Sequence, residues 1–145
     1  MIPRARLLAQ LAADIQRDGI DYRELQQLLQ HLHQQLLAQR AEDIAAANGR
    51  IQAVLATLNQ RARLRARLLV ALGTGTDGEA VRRLLGEFAA PLGTGLAQAW
   101  ATLELDVLAC RRLNERNGEV LRLHRELFQE LLGRSSATSI YSDPL

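Results

Sequence analysis

The side chains of this sequence that could take part in chemistry are three histidines, one cysteine and a few pairs of acids. On a helix, His31 and His33 would point about 200° apart, so they could not bind one ion together. Neither belongs to a His-Glu-x-x-His pattern, and His124 lies in an apolar row, where a packed histidine is the usual explanation. The sequence therefore predicts no metal site.

The single cysteine, Cys110, is a poor candidate for a nucleophile. Such a residue needs positive, partly exposed surroundings and a neighbouring base. Cys110 lies instead between Val107 and Asn114 in an apolar row, which is typical of a buried small side chain.

The remaining candidates for chemistry are equally weak. The glycine-rich segment 73–78 follows no strand pattern and precedes no Gly-Lys-Ser/Thr, so it fails as a phosphate loop. Glu104 and Asp106, and likewise Glu126 and Glu130, lie among arginines, where solvated charge is the usual reading. We therefore expect no catalytic residue, no cofactor and no enzymatic activity.

Composition indicates the elements that would position these residues. A chain of 145 residues suffices for one domain with one core. Hydrophobic residues make up 48% and aromatics 3%, and Leu, Ala, Gln, Arg and Glu dominate, as in proteins built from long helices. No stretch alternates apolar and polar residues as strands do, so the predicted fold class is all-α.

The charge distribution argues against nucleic acid as a partner. The formal net charge is +2, and residues 61–72 hold the one basic cluster, Arg61, Arg63, Arg65 and Arg67, with no acid among them. Spacing of two on a helix spreads these arginines over two neighbouring rows. They could bind an acidic partner or nucleic acid, or meet acids on a packed helix; a nucleic-acid binder usually has a broader basic stripe.

Three further features point to the cytoplasm. One cysteine excludes an internal disulfide, which fits a reducing compartment. The first residues lack the apolar segment of a signal peptide, and no uncharged apolar run reaches the roughly 20 residues that span a bilayer. We expect no membrane insertion.

Local signals divide the chain into four helices. A short helix from Pro3 to Arg17 would end at Asp18-Gly19, and Asp21 with Glu24 would cap a long helix over 21–72. That helix would bend near Arg40 or at Asn48-Gly49. A capping box of Thr76 and Glu79 opens a helix over 77–88, and the last helix runs over 94–132. We predict an antiparallel bundle of long helices with coiled-coil-like seams, in a single domain 1–133 with a flexible tail 134–145.

Two rows of mostly apolar residues alternate steps of four and three, as in a coiled-coil seam. In the long helix the row is Ile44, Asn48, Ile51, Leu55, Leu58, Ala62, Arg65, Leu69 and Leu72, and in the last helix it is Leu96, Trp100, Leu103, Val107, Cys110, Asn114, Asn117, Leu121, His124, Phe128 and Leu131.

Polar residues in these rows would fix register at some cost in stability. The seam-specifying candidates are Asn48, Asn114, Asn117 and Gly118, and the asparagines of the last helix could instead cap or pair inside the bundle. Gly118 beside them would permit the close approach of another backbone or a local bend.

The apolar stripe of the last helix is wider than one partner helix can cover. A second helix could lie against it, as in helix-in-groove recognition. The residues of the predicted cargo groove are Leu113, Asn117, Val120, Leu121, Leu123, Leu127, Phe128 and Leu131.

The segment from Leu113 to Leu121 contains Asn-x-x-Asn-Gly and resembles the last long helix of the FlgN family. Arg-Ala-Glu-Asp-Ile at 40–44 and Arg67-Leu68-Leu69 before a glycine-containing loop are also similar, in the same order. The resemblance implies a cytoplasmic chaperone of the flagellar type III export system. Its partners would be the hook–filament junction proteins FlgK and FlgL and the export gate/ATPase complex.

In the family, a tail tyrosine is associated with docking on the export gate, which would assign Ile140 and Tyr141 to this role. The sequence departs from the family where a Tyr-Gly pair often stands, because Ser142 follows Tyr141. Two alternatives remain open at this point. One is a coiled-coil scaffold that forms a homodimer through the surplus stripe, and the other is an arginine-dependent binder of nucleic acid or anions.

Overall fold

The computed structural model describes residues 2–135, and all the regular structure in that range is helical. Its helices are α1 (Arg4–Ala38), α2 (Ala41–Ala71), α3 (Gly78–Leu85) and α4 (Leu92–Ser135). The predicted all-α class is therefore confirmed, although the helix bounds differ from the predicted ones.

Helix α1 runs straight through Asp18-Gly19, so the predicted stop at Arg17 and the predicted cap at Asp21 are wrong. Apolar residues that face the core continue on both sides, from Ile15 to Leu25. Asp18 also turns its carboxylate into the bundle, where it meets arginines of α2. These tertiary contacts outweigh the local end signals.

The predicted single helix over 21–72 is two helices. Gln39 adopts a left-handed conformation with φ of 56°, and the N–H of Arg40 donates to the carbonyl of Gln35 at 3.3 Å. The chain therefore reverses where only a bend near Arg40 was predicted. The other predicted weak point, Asn48-Gly49, lies inside α2 without a break.

The start of α3 also differs in detail from the prediction. Asp77, not Thr76, is the N-cap, and its carboxylate accepts a hydrogen bond from the N–H of Ala80 at 2.9 Å. Helix α4 begins at Leu92 and continues to Ser135, two residues into the predicted tail. The rest of that tail lies outside the described residues.

The long helices run up, down and up. Helix α2 is antiparallel to α1, because Arg61 near its end meets Asp18, whereas Arg50 near its start meets Glu24. Helix α4 runs parallel to α1. The Cys110 thiol lies 3.6 Å from the carbonyl of Tyr22, and further along both helices Asn117 bonds to the carbonyl of Leu29. Helix α2 is therefore antiparallel to both α1 and α4, as in the predicted antiparallel bundle, while α1 and α4 run parallel because the reversal after Ala38 adds a helix to the path.

A layer of charged residues divides the core in two. Around the start of α1, a first cluster brings all four helices together: Leu7, Leu11, Ile15, Leu68, Leu69, Leu72, Val81, Leu84, Leu85 and Leu96. A second cluster fills the other end: Leu25, Leu29, Leu32, Leu36, Ala47, Ile51, Leu58 and Cys110. Between them Asp18, only 1% exposed, binds Arg61 and Arg65.

Candidate partner-binding surface

The C-terminal end of α4 extends past the end of α1. Two contacts between these helices, Tyr22 with Cys110 and Leu29 with Asn117, each join residues 88 positions apart. The same offset places the last residue of α1, Ala38, level with Glu126. The final nine residues of α4 therefore project by about 13 Å, at 1.5 Å per residue.

This end of α4 exposes an apolar face, which we call the terminal stripe. Its members and their exposed fractions are Leu121 37%, Leu123 45%, Leu127 57%, Phe128 49% and Leu131 62%. At 100° per residue these five side chains span about 160° of the helix circumference. A contiguous exposed apolar patch of this kind marks an interaction site more often than a chance cluster.

Ion pairs on the other side of the same segment stabilise it as a helix. The guanidinium of Arg122 donates hydrogen bonds to the carboxylates of Glu119 and Glu126, one turn before it and one turn after it. Pairs at these spacings favour helix formation without tertiary contacts. The terminal stripe is thus displayed on a helix that has local support.

Three residues of the predicted cargo groove belong to the interior instead. Leu113 and Val120 are half-buried against the second core cluster, and Asn117 is only 2% exposed. The other five form the terminal stripe. The predicted groove from Leu113 onward is therefore replaced by an exposed helix face that begins at Leu121 and projects past the end of α1 from Leu127 onward.

Asn117 fastens α4 to α1 just before the terminal stripe begins. Its amide N–H donates to the carbonyl of Leu29 at 2.9 Å, and its amide oxygen lies 3.0 Å from Nδ1 of His33. Because the amide nitrogen is committed as a donor, the ring nitrogen facing the amide oxygen must carry a hydrogen. Asn117 is thus buried between the two helices, and its seam-specifying role stays a prediction.

The other seam-specifying candidates lie on the surface, contrary to prediction. Asn48 and Asn114 are exposed, and their neighbours Ala47 and Leu113 turn inward in their place. At Gly118, no described atom comes within 4 Å of the position that a Cβ would occupy. The close backbone approach predicted there is therefore not made within residues 2–135.

The predicted basic patch is divided between the interior and the surface. Arg61 donates hydrogen bonds to Asp18 at 2.7 Å and to Asp21 at 2.8 Å, and Arg65 donates to Asp18 at 2.6 Å. Burial opposes the charge of Arg61, but the hydrogen bonds to Asp18 and Asp21 prevail and raise the pKa of its guanidinium. Pairing with acids on a packed helix, one of the two readings of this cluster, is what the structure shows for these two arginines.

The remaining members of that cluster, Arg63 and Arg67, are exposed on α2. Arg65 also lies 6.0 Å from the centre of the Trp100 ring, within cation–π range. The four arginines thus do not form one surface for an acidic partner or nucleic acid.

Asp18 is the residue that reasoning from the sequence missed. It was taken for a helix stop, yet it continues the four-three row of α1 from Leu11 and Ile15 to Tyr22 and Leu25. Extending that row through the charged position would have predicted that Asp18 faces the interior.

The cysteine and two of the histidines lie in surroundings that do not favour chemistry. Burial, with a smaller contribution from Asp106, raises the pKa of the Cys110 thiol to about 11, which disfavours the thiolate. His31 bonds to Gln35 on the surface, and His33 to Asn117. Within residues 2–135, no group of three His, Cys, Asp or Glu side chains is arranged to hold a metal ion, and no helix is long and apolar enough to cross a membrane.

Within residues 2–135, the fold and this surface define an all-helical protein whose longest helix exposes an apolar face near its C-terminal end. Comparison with known proteins gives the family. A sequence model described as FlgN protein matches residues 1–139, so the chain belongs to the FlgN family, the family of flagellar export chaperones. No curated protein and no solved structure gives a match.

Proposed function

We propose that this protein binds the amphipathic C-terminal helices of the hook–filament junction proteins FlgK and FlgL in the cytoplasm and delivers them to the flagellar export apparatus. In this role it catalyses no reaction. The observation that carries the proposal is the terminal stripe, an exposed apolar face on a projecting helix end in a member of an export chaperone family. An amphipathic cargo helix would cover this face and so be kept from self-association.

The size of the terminal stripe suits a carrier that must release its cargo. If a cargo helix buried about 600 Å² of apolar surface, the gross gain would be roughly 15 kcal/mol at 25 cal/mol per Å². Loss of rotational and translational freedom and ordering of side chains remove a large part of that gain. The remaining binding free energy is small enough for the cargo to bind reversibly.

The projecting geometry determines how cargo would bind. Beyond Ala38 no residue of α1 flanks α4, so a cargo helix can pack beside Leu127, Phe128 and Leu131 in the place that α1 holds further down. Cargo would extend the bundle by one segment of coiled coil, and the bundle would not have to open.

Calorimetric titration with a peptide from the C-terminal helix of the hook–filament junction protein of the same organism tests this proposal. We expect one-to-one binding at micromolar or tighter affinity, abolished by Leu123→Asp combined with Leu127→Asp. The matched control is Leu105→Asp, because Leu105 is 67% exposed on α4 but lies outside the terminal stripe. Circular dichroism would verify that each variant keeps its helicity.

Two results would contradict the proposal. One is unchanged affinity in the doubly substituted variant. The other is absence of binding together with a stable dimer in sedimentation that Leu127→Asp dissociates. The second result would make the terminal stripe a homodimer interface and favour a coiled-coil scaffold.

Ile140 and Tyr141 lie outside the described residues, and we propose that they dock on the export gate/ATPase complex. Replacing both by Ser should leave cargo affinity unchanged and weaken binding of the cargo-loaded chaperone to purified gate components, measured by pull-down. Ser136→Ala with Ser139→Ala is the control in the same segment. Loss of helicity or of cargo binding in the Ile140/Tyr141 variant would argue against a separate docking role.

A further inference from the structure

A second apolar surface lies between α1 and α2, at the end of the bundle opposite the terminal stripe. A cavity there is bounded by α1 from Leu7 to Arg17, by α2 from Leu64 to Ala71, and by Ile2 just before α1. We call it the α1–α2 groove. From Leu7 to Arg17 it is about 15 Å long, at 1.5 Å per residue, which is enough for about three turns of a bound helix.

The floor of the α1–α2 groove is apolar, and its rims expose large apolar side chains. Leu7 and Leu68 belong to the first core cluster and are each 7% exposed. On the two sides of the groove, Ile2 is 52% and Leu64 51% exposed. A helix lying between them would remove both rim side chains from water, which is favourable. Exposed apolar side chains grouped around a groove are typical of an interaction site.

Exposed arginines flank the α1–α2 groove. Arg17 of α1 and Arg67 of α2 both line it. Within residues 2–135, neither guanidinium forms an ion pair or a hydrogen bond. Arg63, one turn before Arg67, is exposed on the adjoining surface of α2. The charged groups that a partner would meet at this end of the groove are therefore cations.

Asp14 is the one acid among the described residues that line the groove. Burial raises the pKa of its carboxyl, and the charges of Arg65, Arg61 and Arg17 oppose this effect. Arg61 and Arg65 thus already act on this carboxylate from inside the bundle. Asp14 reduces the positive charge of the groove, but it forms no ion pair with Arg17 or Arg67.

The pattern of the α1–α2 groove fits a helix of complementary character. Its apolar rims suit the apolar face of an amphipathic helix, and its arginines suit carboxylates on the flank of that helix. Nucleic acid fits less well, because the floor is apolar and the basic surface is small.

A second copy of the chain does not offer such a helix within residues 2–135. Most exposed carboxylates there already pair with arginines of the same chain, as Glu24 does with Arg50 and Glu87 with Arg4. The remaining exposed pairs are Asp43 with Arg40, Glu79 and Glu104 with Arg82, and Glu119 and Glu126 with Arg122. No described helix face presents two free carboxylates beside exposed apolar side chains. Charge complementarity therefore favours a different protein as the occupant.

The α1–α2 groove and the terminal stripe can be occupied at the same time. The offset of 88 positions places Leu121, the first residue of the terminal stripe, level with His33 of α1. From His33 to Arg17 the distance along α1 is about 24 Å, at 1.5 Å per residue. A helix in the groove would therefore not touch a helix held at the terminal stripe.

We infer that the α1–α2 groove binds an acidic amphipathic helix of a partner protein, whose carboxylates pair with Arg17 and Arg67 while its apolar side chains cover Ile2 and Leu64. The inference goes beyond the proposed function, because it needs neither cargo nor the terminal stripe. It gives the protein a second surface for a second partner.

Two matched peptides test this inference by fluorescence anisotropy. Both are synthetic amphipathic helices of about four turns with the same Leu and Ala face, and one carries Glu on its flanks where the other carries Lys. The protein is the full chain with Leu123→Asp and Leu127→Asp, so that the terminal stripe does not compete for the peptides. We expect the Glu peptide to bind one-to-one with roughly micromolar affinity and the Lys peptide to bind at least about tenfold more weakly.

Changes in the groove should then alter the affinity for the Glu peptide in opposite directions. Arg17→Gln with Arg67→Gln should weaken binding about tenfold, through the loss of two exposed ion pairs. Asp14→Asn should strengthen it, because the change removes a negative charge from the groove. Arg23→Gln is the control, since Arg23 is exposed on α1 but does not line the groove, and it should leave the affinity unchanged.

Leu64→Asp should abolish binding of the Glu peptide, with circular dichroism to verify that the variant keeps its helicity. Equal affinity for the two peptides, no binding of either, or no effect of the double arginine change would overturn the inference. A dimer in sedimentation that Leu64→Asp dissociates would also overturn it, because the groove would then hold a second copy of the chain. None of these results bears on cargo binding at the terminal stripe, which the titration with the junction-protein peptide tests separately.

Discussion

Asp18 shows how one carboxylate can hold two helices together. It accepts hydrogen bonds from Arg61 and Arg65, and the side chains of these arginines are only 15% exposed. The Coulombic attraction in such a pair is offset by the desolvation of all three charges, so the layer adds little net stability over an apolar layer. Removing Asp18 is different, because it leaves the half-buried Arg65 without its carboxylate partner and Arg61 with Asp21 alone.

We therefore expect Asp18→Ala to lower the free energy of unfolding by about 3–5 kcal/mol in urea denaturation. Glu24→Ala breaks a pair between the same two helices, but the side chains of Glu24 and Arg50 are 43% and 69% exposed. It should cost less than about 1 kcal/mol. Equal effects of the two changes would show that the buried layer does not differ from a surface pair.

Asp14 neighbours the same layer, and its surroundings disfavour the ionised form of its carboxyl. Burial raises the pKa of its carboxyl, with Arg65 acting in the opposite direction. The folded state therefore binds this proton more readily than the unfolded chain does, and ionisation of Asp14 destabilises the fold at neutral pH.

Asp14→Asn should accordingly raise the melting temperature at pH 7. The gain should shrink as the pH falls through the raised folded pKa, and it should vanish below the unfolded value of about 3.9. Melting curves at several pH values would check this, with Glu115→Gln at an exposed position in the middle of α4 as the control. A gain that persists at low pH would point to a cause other than charge.

Helix α4 begins against the loop that precedes it, and the two glycines of its first turn differ sharply. A Cβ at Gly93 would overlap the carbonyl oxygen of Phe88 and lie 3.0 Å from its carbonyl carbon. These are backbone atoms and cannot rotate away. A Cβ at Gly95 would meet no atom within 4 Å.

Gly93→Ala should therefore lower the free energy of unfolding by about 1–3 kcal/mol, the usual cost of overpacking. Gly95→Ala should raise it by about 0.5–1 kcal/mol, because Ala favours a helix over Gly. Thermal or urea denaturation of both variants would measure these changes in the free energy of unfolding. Similar effects at the two positions would mean that the loop at Phe88 moves enough to accommodate the added Cβ.

The sequence predicted the helical class and the presence of α3 and α4. It predicted only in part which residues of α2 face the interior. Ile44, Ile51, Leu58, Arg65 and Leu72, seven apart, lie in the predicted row and face the interior. Between them the structure buries Ala47, where Asn48 was predicted, and turns Arg61 inward, where Ala62 was predicted. Hydrophobicity cannot favour Arg61 over Ala62. Only the position of Asp18 on another helix does.

The exposed residues of the candidate partner-binding surface were predicted in part, for a related reason. The width of the apolar stripe identified Leu121, Leu123, Leu127, Phe128 and Leu131, which the structure exposes. Leu113, Asn117 and Val120 share the pattern but lie on the side of α4 that faces α1 and the core. Their burial depends on the parallel offset of two helices distant in sequence, and no local pattern encodes that offset.

At the scale of the whole molecule, unequal helix lengths create the surface. Helix α1 has 35 residues and α4 has 44, and the two start at the same end of the bundle. The difference therefore appears entirely at the other end, where Leu127, Phe128 and Leu131 of the terminal stripe project beyond α1. A longer α1 would flank these three residues and a shorter α4 would remove them, so this part of the surface depends on length as much as on composition.

The exit of the chain from that same end has a consequence for transfer. From Leu131, four helical steps lead to Ser135 and five further residues to Ile140, a reach of at most about 24 Å. With the tail docked on the export machinery, a helix held by the terminal stripe would stay tethered within that radius of its receptor. Such a tether corresponds to an effective concentration in the millimolar range, so even a weak receptor site would capture the released helix before it diffused away.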